Sequence, residues 1–241
     1  MPTKFVFLHG FGEDQRVWSD FLPLFSWPFE CIVVDYSTWT NCLDMKDYAI
    51  KIMSDLPLET KFILVGHSMG GYVALAMAEL FPSEIHQVVM LHSSPFADTE
   101  EKKTGRQRTI DFLKKYPVKD FLGPFIPNLF APKFAETHVE LRNNLIARYQ
   151  DLPSSGLIAS STAMKNRPDY QLFLAKTKIP FLFIQGSDDA LISTDLIKDV
   201  LQDKAQHKLV ILQGVGHQGQ YEAPDACFEA INAFIKLCQK K

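Results

Sequence analysis

Four short segments of this 241-residue chain carry side chains that could take part in covalent chemistry, and one of them centres on a serine. Residues 66–70 read Gly-His-Ser-Met-Gly, which matches the G-x-S-x-G pattern of a serine on a sharp turn between strand and helix. Such a turn strains the serine backbone and leaves room only for small residues two positions to either side. Gly66 and Gly70 meet that need. The spacing therefore predicts an exposed Ser68 hydroxyl at the end of a strand.

A serine hydroxyl is a weak nucleophile at neutral pH and needs a base within hydrogen-bond reach, which in turn needs an acid to orient it. Of the seven histidines, His217 is the one in a loop flanked by glycine after the last predicted strand. The others are His9, His67, His86, His92, His138 and His207. Two candidate acids, Asp188 and Asp189, follow the fifth predicted strand. The residues alone leave both aspartates open.

The segments on either side of Ser68 indicate how it is held. Residues 62–65 form an apolar run suited to a strand buried on both faces. In the helix that follows, Gly70, Ala74 and Ala78 recur every four residues and let the helix lie close to the sheet. A phosphate-binding loop is the competing interpretation of a glycine-rich turn here, but no Gly-Lys-Ser/Thr follows.

Apolar runs alternate with helical patterns along the chain. The predicted strands cover residues 4–9, 31–35, 62–65, 85–92, 178–185 and 208–213. The predicted helices cover residues 14–25, 44–56 and 194–202, the segment after Ser68, and a closing helix from Pro224. Six strands that alternate with helices predict an α/β fold with a doubly wound, mostly parallel sheet, whose sites lie beyond the carboxyl ends of the strands.

One connection is too long for a simple crossover. More than 80 residues separate Pro95 from Lys178, whereas a crossover needs about a dozen. Amphipathic stretches at 109–116, 134–149 and 155–165 predict a helical cap, residues 96–177, inserted after the fourth strand. Residues 1–95 and 178–241 would form the core. Some phenylalanines of the cap could line an apolar pocket over Ser68, although packing of cap on core is favoured for most of them. They are Phe112, Phe121, Phe125, Phe130 and Phe134.

Composition argues against several kinds of partner. A formal net charge of -3 gives no reason to expect nucleic acid or an anionic membrane surface. A basic cluster between residues 102 and 115 is interpreted as a solvated helix face. Its members are Lys102, Lys103, Arg106, Arg108, Lys114 and Lys115. No apolar run approaches the roughly 20 residues of a membrane span, and a first strand at Lys4 leaves no room for a signal peptide, so a cytoplasmic location is expected.

The four cysteines lack the close pairing of a zinc site, so no structural metal is expected. Cys227 and Cys238 lie on one predicted helix, where eleven residues of rise separate them by roughly 16 Å, beyond disulfide reach. Buried free thiols are expected instead.

Taken together, the four motifs resemble the α/β-hydrolase superfamily over nearly the whole chain. They occur in the order His9-Gly10-Phe11-Gly12, Gly66-His67-Ser68-Met69-Gly70, Gly186-Ser187-Asp188-Asp189 and Gly216-His217. The superfamily usually has two further strands before the His-Gly strand. The resemblance therefore implies a six-stranded version that lacks the two leading strands.

The resemblance also implies roles for individual residues. Ser68 would be the nucleophile, His217 the base and Asp189 the acid, in the superfamily's order of serine, acid and histidine. The backbone N–H groups of Phe11 and Met69 would form the oxyanion hole. This chemistry requires neither a metal nor an organic cofactor.

The implied function is hydrolysis of an ester or related acyl bond in a small, partly apolar substrate. An alternative is a lyase or a carbon–carbon bond hydrolase, because relatives in menaquinone synthesis and aromatic degradation use the same triad. A non-catalytic ligand receptor is disfavoured, since such a protein need not keep all three triad residues. A serine where dehalogenases place an aspartate argues against dehalogenation. The sequence does not indicate an oligomeric state.

Overall fold

A single parallel sheet organises the molecule. The computed structural model describes residues 3–25, 30–201 and 206–239. Within these residues the strands are β1 (Thr3–Leu8), β2 (Cys31–Val34), β3 (Lys61–His67), β4 (Ile85–Leu91), β5 (Phe181–Gly186) and β6 (Lys208–Leu212). All neighbouring pairs are parallel, in the order β2-β1-β3-β4-β5-β6. The predicted doubly wound sheet is confirmed.

The strand order explains where a site can form. The chain winds outward in both directions from the neighbours β1 and β3, which makes their junction the switch point at which a crevice opens. Leu8 lies opposite Gly66 in the register, so both strands end at the same level. The loop after β1 and the turn that carries Ser68 are therefore neighbours.

Helices cover both faces of the sheet. They are α1 (Met45–Asp55), α2 (Met69–Leu80), α3 (Glu100–Leu113), α4 (Val118–Phe125), α5 (Pro132–Thr137), α6 (Val139–Tyr149), α7 (Ser154–Asn166), α8 (Gln171–Lys176), α9 (Thr194–Leu201), α10 (Gly219–Glu222) and α11 (Pro224–Gln239). Side chains of a strand alternate between faces. Accordingly, Val6 and Leu8 pack with α1 and α2, whereas Phe5 and Phe7 pack with α11. None of the described helices combines the length and the apolar character that crossing a bilayer requires.

Some predicted boundaries are wrong. The predicted helix at 14–25 is instead a pair of short 3₁₀ helices, Gln15–Trp18 and Leu22–Leu24. Pro23 has no N–H to donate and restricts a longer helix, yet Trp18 and Phe21 are still fully buried. The fifth strand starts at Phe181, directly after Pro180, and not at Lys178. The predicted end of the following helix, Gln202, lies outside the described residues.

Between β4 and β5 the chain forms α3 to α8 and a 3₁₀ helix, Ile126–Leu129. These helices pack on the rest of the protein through specific contacts. The hydroxyl groups of Ser160 on α7 and Tyr48 on α1 are 3.2 Å apart. A Cβ atom at Gly156 of α7 would collide with the carbonyl oxygen of Ser37 in the loop after β2. The division into a core and a cap of residues 96–177 stays a prediction.

This close approach gives a test of how α7 docks. We expect Gly156→Ala to lower the free energy of unfolding by about 1–3 kcal/mol, the usual cost of overpacking. Gly105→Ala in α3 is the matched control, because a Cβ there meets no atom within 4 Å. Because alanine favours a helix over glycine by about 1 kcal/mol, the control should not lower the free energy of unfolding. Urea denaturation measures both variants, and equal effects would contradict the close packing of α7 on the loop.

Candidate active site

Ser68 occupies a strained turn between β3 and α2. Its φ of 51° and ψ of -114° lie where a residue with a side chain rarely sits. Two contacts with the end of β4 and the loop after it hold Ser68: the Ser68 N–H donates to the Leu91 carbonyl at 2.9 Å, and the Ser93 hydroxyl donates to the Ser68 carbonyl at 2.7 Å. Side chains at Gly66 or Gly70 would collide with backbone atoms of Gly70 and Leu8, respectively. Both positions of the motif therefore require glycine, because a larger residue would not fit.

The structure brings together the three side chains proposed for the triad. His217 Nε2 lies 2.8 Å from Ser68 Oγ, and His217 Nδ1 lies 2.7 Å from Asp189 Oδ2. Both distances are those of good hydrogen bonds. His217 is buried, and the Asp189 side chain has no exposed surface. Asp189 can thus fix the imidazole so that Nε2 faces the serine.

The loop that carries His217 is held from two sides. The N–H of His217 donates to the carbonyl of Leu129, in the segment between β4 and β5, at 2.7 Å. The N–H of Gly216 donates to Glu222 Oε2 at 3.0 Å. A Cβ at Gly216 would collide with the backbone around Ala131. The position of His217 therefore depends on the inserted helices as well as on the sheet.

Asp189 is a buried, fully bonded carboxylate. Its Oδ1 accepts from the N–H groups of Leu191 at 2.8 Å and Ile192 at 3.1 Å. Burial alone would raise the pKa of Asp189, but the charge of His217 and the hydrogen bond from it outweigh burial and lower that pKa. Asp189 is consequently ionised at neutral pH and can stabilise a protonated His217.

The second candidate acid, Asp188, has a different environment. It is exposed, and its Oδ1 accepts from the Ser187 hydroxyl at 2.7 Å. Ser187 Oγ in turn accepts from the N–H of Gly214 at 2.8 Å. Asp188 therefore belongs to a chain of hydrogen bonds that connects the loop after β5 with the loop before His217. The structure puts Asp189, and not Asp188, next to the imidazole.

His92 is a site residue that the sequence analysis does not single out. It follows β4 with a φ of 48° and is completely buried. Its Nε2 accepts from the N–H of Gly219 at 3.1 Å, so the proton of the neutral ring is on Nδ1, 3.5 Å from Asp189 Oδ2. Burial lowers the pKa of His92 to about 4 despite the nearby carboxylate, which keeps the ring neutral at pH 7. His92 and His217 thus both approach the same oxygen of Asp189.

One group among the described residues could hold a metal ion. His92, Asp189 and His217 offer ligand atoms that all lie within 4.8 Å of one another. Asp189 Oδ2 and His217 Nδ1 are already hydrogen-bonded to each other. A metal ion at this place would break the contact that orients His217 toward Ser68. The expectation that no metal is required stays a prediction.

The backbone N–H groups of Phe11 and Met69 are predicted to form the oxyanion hole. Met69 is the first residue of α2, and Phe11 lines the cavity that contains Ser68. In the described part of the chain, neither N–H has a protein acceptor. Gly12, with a φ of 76°, allows the loop after β1 to turn sharply at this point. Two N–H groups without an acceptor in this region fit an oxyanion hole, and this role stays a prediction.

A buried carboxylate connects the three loops of the site. Glu13 accepts hydrogen bonds from Gly10 N–H at 3.0 Å, from His67 Nδ1 at 3.0 Å and from Gln218 Nε2 at 2.9 Å. His67 Nε2 donates to the carbonyl of His217 at 2.9 Å. The G-x-S-x-G pattern places His67 in the turn but does not predict its partner Glu13, whose position two residues after Phe11 was the available signal.

The ionisation states of this pair favour a buried salt bridge. Burial would raise the pKa of Glu13, but the His67 charge and hydrogen bonds from His67 and Gln218 lower it to about 2. Burial would likewise lower the pKa of His67, but the Glu13 charge and hydrogen bond raise it above its usual value. Such a pair is costly to break, because one partner would be left charged and buried.

A cavity of about 300 Å³ opens onto Ser68 and His217. The segment between β4 and β5 supplies about half of its wall, and its lining residues are Asp98, Lys102, Gly105, Arg106, Thr109, Phe125, Leu129 and Met164. Of the five phenylalanines considered for the cap, Phe125 is the one that lines the cavity. The interpretation of the basic cluster as a solvated helix face is incomplete, because Lys102 and Arg106 line the cavity as well.

Comparison with known proteins agrees with this architecture. Residues 5–230 match the sequence model of the alpha/beta hydrolase family. A pimeloyl-(acyl-carrier protein) methyl ester esterase of Wigglesworthia glossinidia brevipalpis is 23% identical over 245 residues, which cover 97% of this chain and 94% of that relative. A 2-hydroxy-6-oxononadienedioate/2-hydroxy-6-oxononatrienedioate hydrolase 2 of Pseudomonas putida is 25% identical and covers 90% of this chain and 82% of its own length. The solved structure of a thermophilic esterase from Thermogutta terrifontis aligns with a TM-score of 0.89 at 23% identity, over 99% of this chain and 90% of that one.

The two aspartates after β5 give a direct test of the triad geometry. We expect Asp189→Asn to lower turnover by roughly 10⁴-fold, because the imidazole loses the group that fixes its tautomer and stabilises its charge. Asp188→Asn, the matched control on the exposed side of the loop, should stay within about tenfold of the unsubstituted protein. Steady-state kinetics with melting temperatures alongside separates catalysis from folding. A crippled Asp188→Asn beside a nearly normal Asp189→Asn would reverse the assignment.

Replacement of Glu13 tests the buried network. We expect Glu13→Gln to lower the free energy of unfolding at pH 7 by about 3–5 kcal/mol, because His67 loses its buried partner. The folded pKa of about 2 lies below the ordinary value of 4.5, so ionised Glu13 stabilises the fold above pH 4.5 and this contribution is lost as the pH falls toward 2.

The difference in free energy of unfolding between the unsubstituted protein and Glu13→Gln should therefore narrow as the pH falls from 4.5 toward 2. Chemical denaturation at each pH measures it. Glu30→Gln serves as the control, since the Glu30 side chain is 62% exposed and its pair with Lys4 contributes little. A difference between the two proteins that stays constant down to pH 2 would contradict the proposed ionisation of Glu13.

Proposed function

The chain belongs to the alpha/beta hydrolase family, and we propose that it is a serine hydrolase that cleaves an ester or related acyl bond of a small, partly apolar substrate. The observation that carries this proposal is the continuous hydrogen-bonded path from Asp189 through His217 to Ser68. A nucleophile, a base and an orienting acid at these distances form the arrangement that acyl transfer needs. Relatives named as esterases support the same reaction class.

The proposed reaction starts with attack of Ser68 Oγ on the carbonyl carbon of the substrate. His217 Nε2 takes the hydroxyl proton, and Asp189 stabilises the imidazolium through Nδ1–H. The carbonyl oxygen becomes an oxyanion that accepts hydrogen bonds from the N–H groups of Phe11 and Met69. When the tetrahedral intermediate collapses, the C–O bond to the leaving alkoxide breaks and His217 donates its proton to it.

Water then completes the cycle. It attacks the acyl carbon on Ser68 while His217 Nε2 again takes a proton, and the second tetrahedral intermediate releases the carboxylic acid and restores the serine hydroxyl. The positive dipole end of α2 lies at Met69, the first residue of this helix, and favours negative charge beside Ser68. Every group in these proposed reaction steps belongs to the chain, the substrate or water.

The cavity fits a substrate with an apolar portion. Phe11, Phe125, Leu129 and Ile192 are among its lining residues. At about 300 Å³ the cavity lies at the small end of the range for ligand pockets. A compact substrate is therefore favoured over a long acyl chain.

The relative from Pseudomonas putida, named a 2-hydroxy-6-oxononadienedioate/2-hydroxy-6-oxononatrienedioate hydrolase 2, favours a second candidate. The same triad could serve a lyase or a carbon–carbon bond hydrolase. Product analysis separates the reactions, since an ester yields an acid and an alcohol whereas carbon–carbon hydrolysis of a diketone yields an acid and a ketone.

Labelling and an ester screen test the proposed function. We expect a fluorophosphonate probe to add once, on Ser68, because among the serines that the structure describes only Ser68 has a histidine nitrogen, that of His217, at 2.8 Å. Ser68→Ala should abolish both labelling and the hydrolysis of short p-nitrophenyl esters. Ser83→Ala, in the exposed turn before β4 and so at the edge of the sheet opposite Ser68, is the control and should keep both. An adduct mapped to Ser93, Ser94 or Ser187, with Ser68 unmodified, would refute the assignment.

A further inference from the structure

One face of α3 forms a wall of the cavity that contains Ser68. Lys102, Gly105, Arg106 and Thr109 all line the cavity and follow one another at the spacing of a single helical face. Two cationic side chains on the inner face of a helix are unusual in a pocket with this much apolar lining. We propose that Lys102 and Arg106 form a subsite for an anionic group of the substrate, so that the cleaved ester carries a negative charge away from the scissile bond. This inference rests on the proposed esterase function.

The acidic residues of the cavity wall do not neutralise these two cations. Glu13 is paired with His67. Asp98 accepts from two guanidinium groups, Arg167 Nη2 at 2.8 Å and Arg106 Nε at 3.2 Å. Two arginines thus share one carboxylate, which leaves one positive charge uncompensated in this cluster.

Lys102 adds a second positive charge. Its Nζ makes one long contact, 3.4 Å, to the carbonyl oxygen of Leu191 in the loop after Asp189. Within the described ranges, Lys102 has no carboxylate within 4.0 Å. The end of the cavity at α3 is therefore positive by about two charges, although the protein as a whole has a formal net charge of -3.

The geometry of Arg106 suits recognition of an oxyanion. Its Nε bond to Asp98 fixes the plane of the guanidinium, and Nη1 and Nη2 have no hydrogen-bond partner in the part of the chain that the structure describes. Such a guanidinium can donate two parallel hydrogen bonds to a carboxylate or phosphate. The Arg106 side chain is 26% exposed, so solvent and ligand can reach it.

Arg167 has a structural role that complements the proposed binding role of Arg106. Its three nitrogens donate to the carbonyl of Phe96 at 3.0 Å, to the carbonyl of Met164 at 2.8 Å and to Asp98. Its guanidinium also lies 4.0 Å from the centre of the Tyr72 ring. With every group engaged, Arg167 anchors Asp98, and Asp98 in turn orients Arg106 toward the cavity.

The space around α3 is consistent with a bound ligand. A Cβ at Gly105 meets no atom within 4 Å, so the helix leaves room beside Arg106. Phe125, Met164 and Ile192 line the cavity as apolar surface. The fitting substrate has a short hydrocarbon segment with an ester at one end, near Ser68, and an oxyanion at the other, near Lys102 and Arg106.

Matched substrates that differ only in charge test this subsite. The first pair is the monomethyl ester of adipic acid and the same ester with the free carboxylate replaced by its neutral amide. A second pair, the acetate esters of hydroxyhexanoic acid and of its amide, places the charge on the alcohol side. The monomethyl ester with a phosphonate in place of the carboxylate distinguishes a phosphate-like ligand from a carboxylate. The measured quantity is the ratio of kcat/KM for the charged ester to that for its neutral partner.

We expect this ratio to exceed about tenfold for at least one pair, mainly through KM, and to fall as salt concentration rises. Arg106→Gln should lower the ratio by about 10- to 100-fold, the usual effect of losing a hydrogen bond to a charged group. Lys102→Met should lower it severalfold. Because Lys102 is exposed, its variant tests the subsite even if loss of Arg106 disturbs Asp98. Arg108→Gln and Lys103→Met, on the same helix but outside the cavity lining, are the controls and should keep the original ratio.

Several outcomes would overturn the subsite while leaving the esterase function intact. One is efficient cleavage of the neutral esters, with kcat/KM ratios of charged to neutral ester near or below one. Another is a high ratio that survives both Arg106→Gln and Lys102→Met, which would place charge recognition elsewhere.

Failure of the esterase function is recognised separately, by absence of cleavage and of labelling at Ser68. In that case, calorimetric binding of adipate and of its diamide to the Ser68→Ala protein still decides the matter. Preferential binding of adipate that Arg106→Gln and Lys102→Met abolish would support the subsite, and equal binding of the two compounds would refute it.

Discussion

The strained backbone of Ser68 is the constraint on which the rest of the site depends. A serine with a positive φ persists only where its surroundings hold it, and here the surroundings are two parallel strands and a helix. The end of β1 closes against Gly70, so the first turn of α2 lies directly on the sheet. On the other side, Leu91 of β4 accepts from the N–H of Ser68, and Ser93 in the loop after β4 donates to its carbonyl. Contacts with the sheet therefore stabilise the strained backbone that leaves the Ser68 hydroxyl accessible.

Burial of charge is the second organising feature. Asp189 and Glu13 are both removed from water, and each accepts several hydrogen bonds that keep it ionised. Each carboxylate also connects segments that are distant in sequence. Asp189 joins the loop after β5 to His217, and Glu13 joins the loop after β1 to the serine turn and to Gln218. The same bonds that offset desolvation therefore align the loops of the site.

The helices between β4 and β5 do more than cover the sheet. Leu129 accepts from the N–H of His217, and Ala131 donates to Glu222, which also holds the loop before His217. The segment that shapes the cavity thus also positions the proposed base. In addition, α3 brings two cations to the cavity wall, where Glu13 is paired with His67 and Asp98 is shared between Arg106 and Arg167. Reaction type and substrate preference would then reside in different parts of the fold, the sheet and the inserted helices.

The sequence by itself determined the parallel sheet, the serine turn and the loop that carries His217. These features depend on local patterns: apolar runs of strand length, glycines two residues from Ser68, and the order of elements along the chain. Local patterns also misled, since the spacing of Trp18 and Phe21 predicts a helix where Pro23 allows only short 3₁₀ turns. Contacts between distant residues were beyond this kind of reasoning. The choice of Asp189 over Asp188 followed from family resemblance, and its physical cause, burial against His217, exists only in the folded chain. Likewise, only tertiary structure decided that Glu13 meets His67, that His92 meets Asp189, and that Arg106 of an apparently solvated helix faces the cavity, because each depends on how elements far apart in sequence pack together.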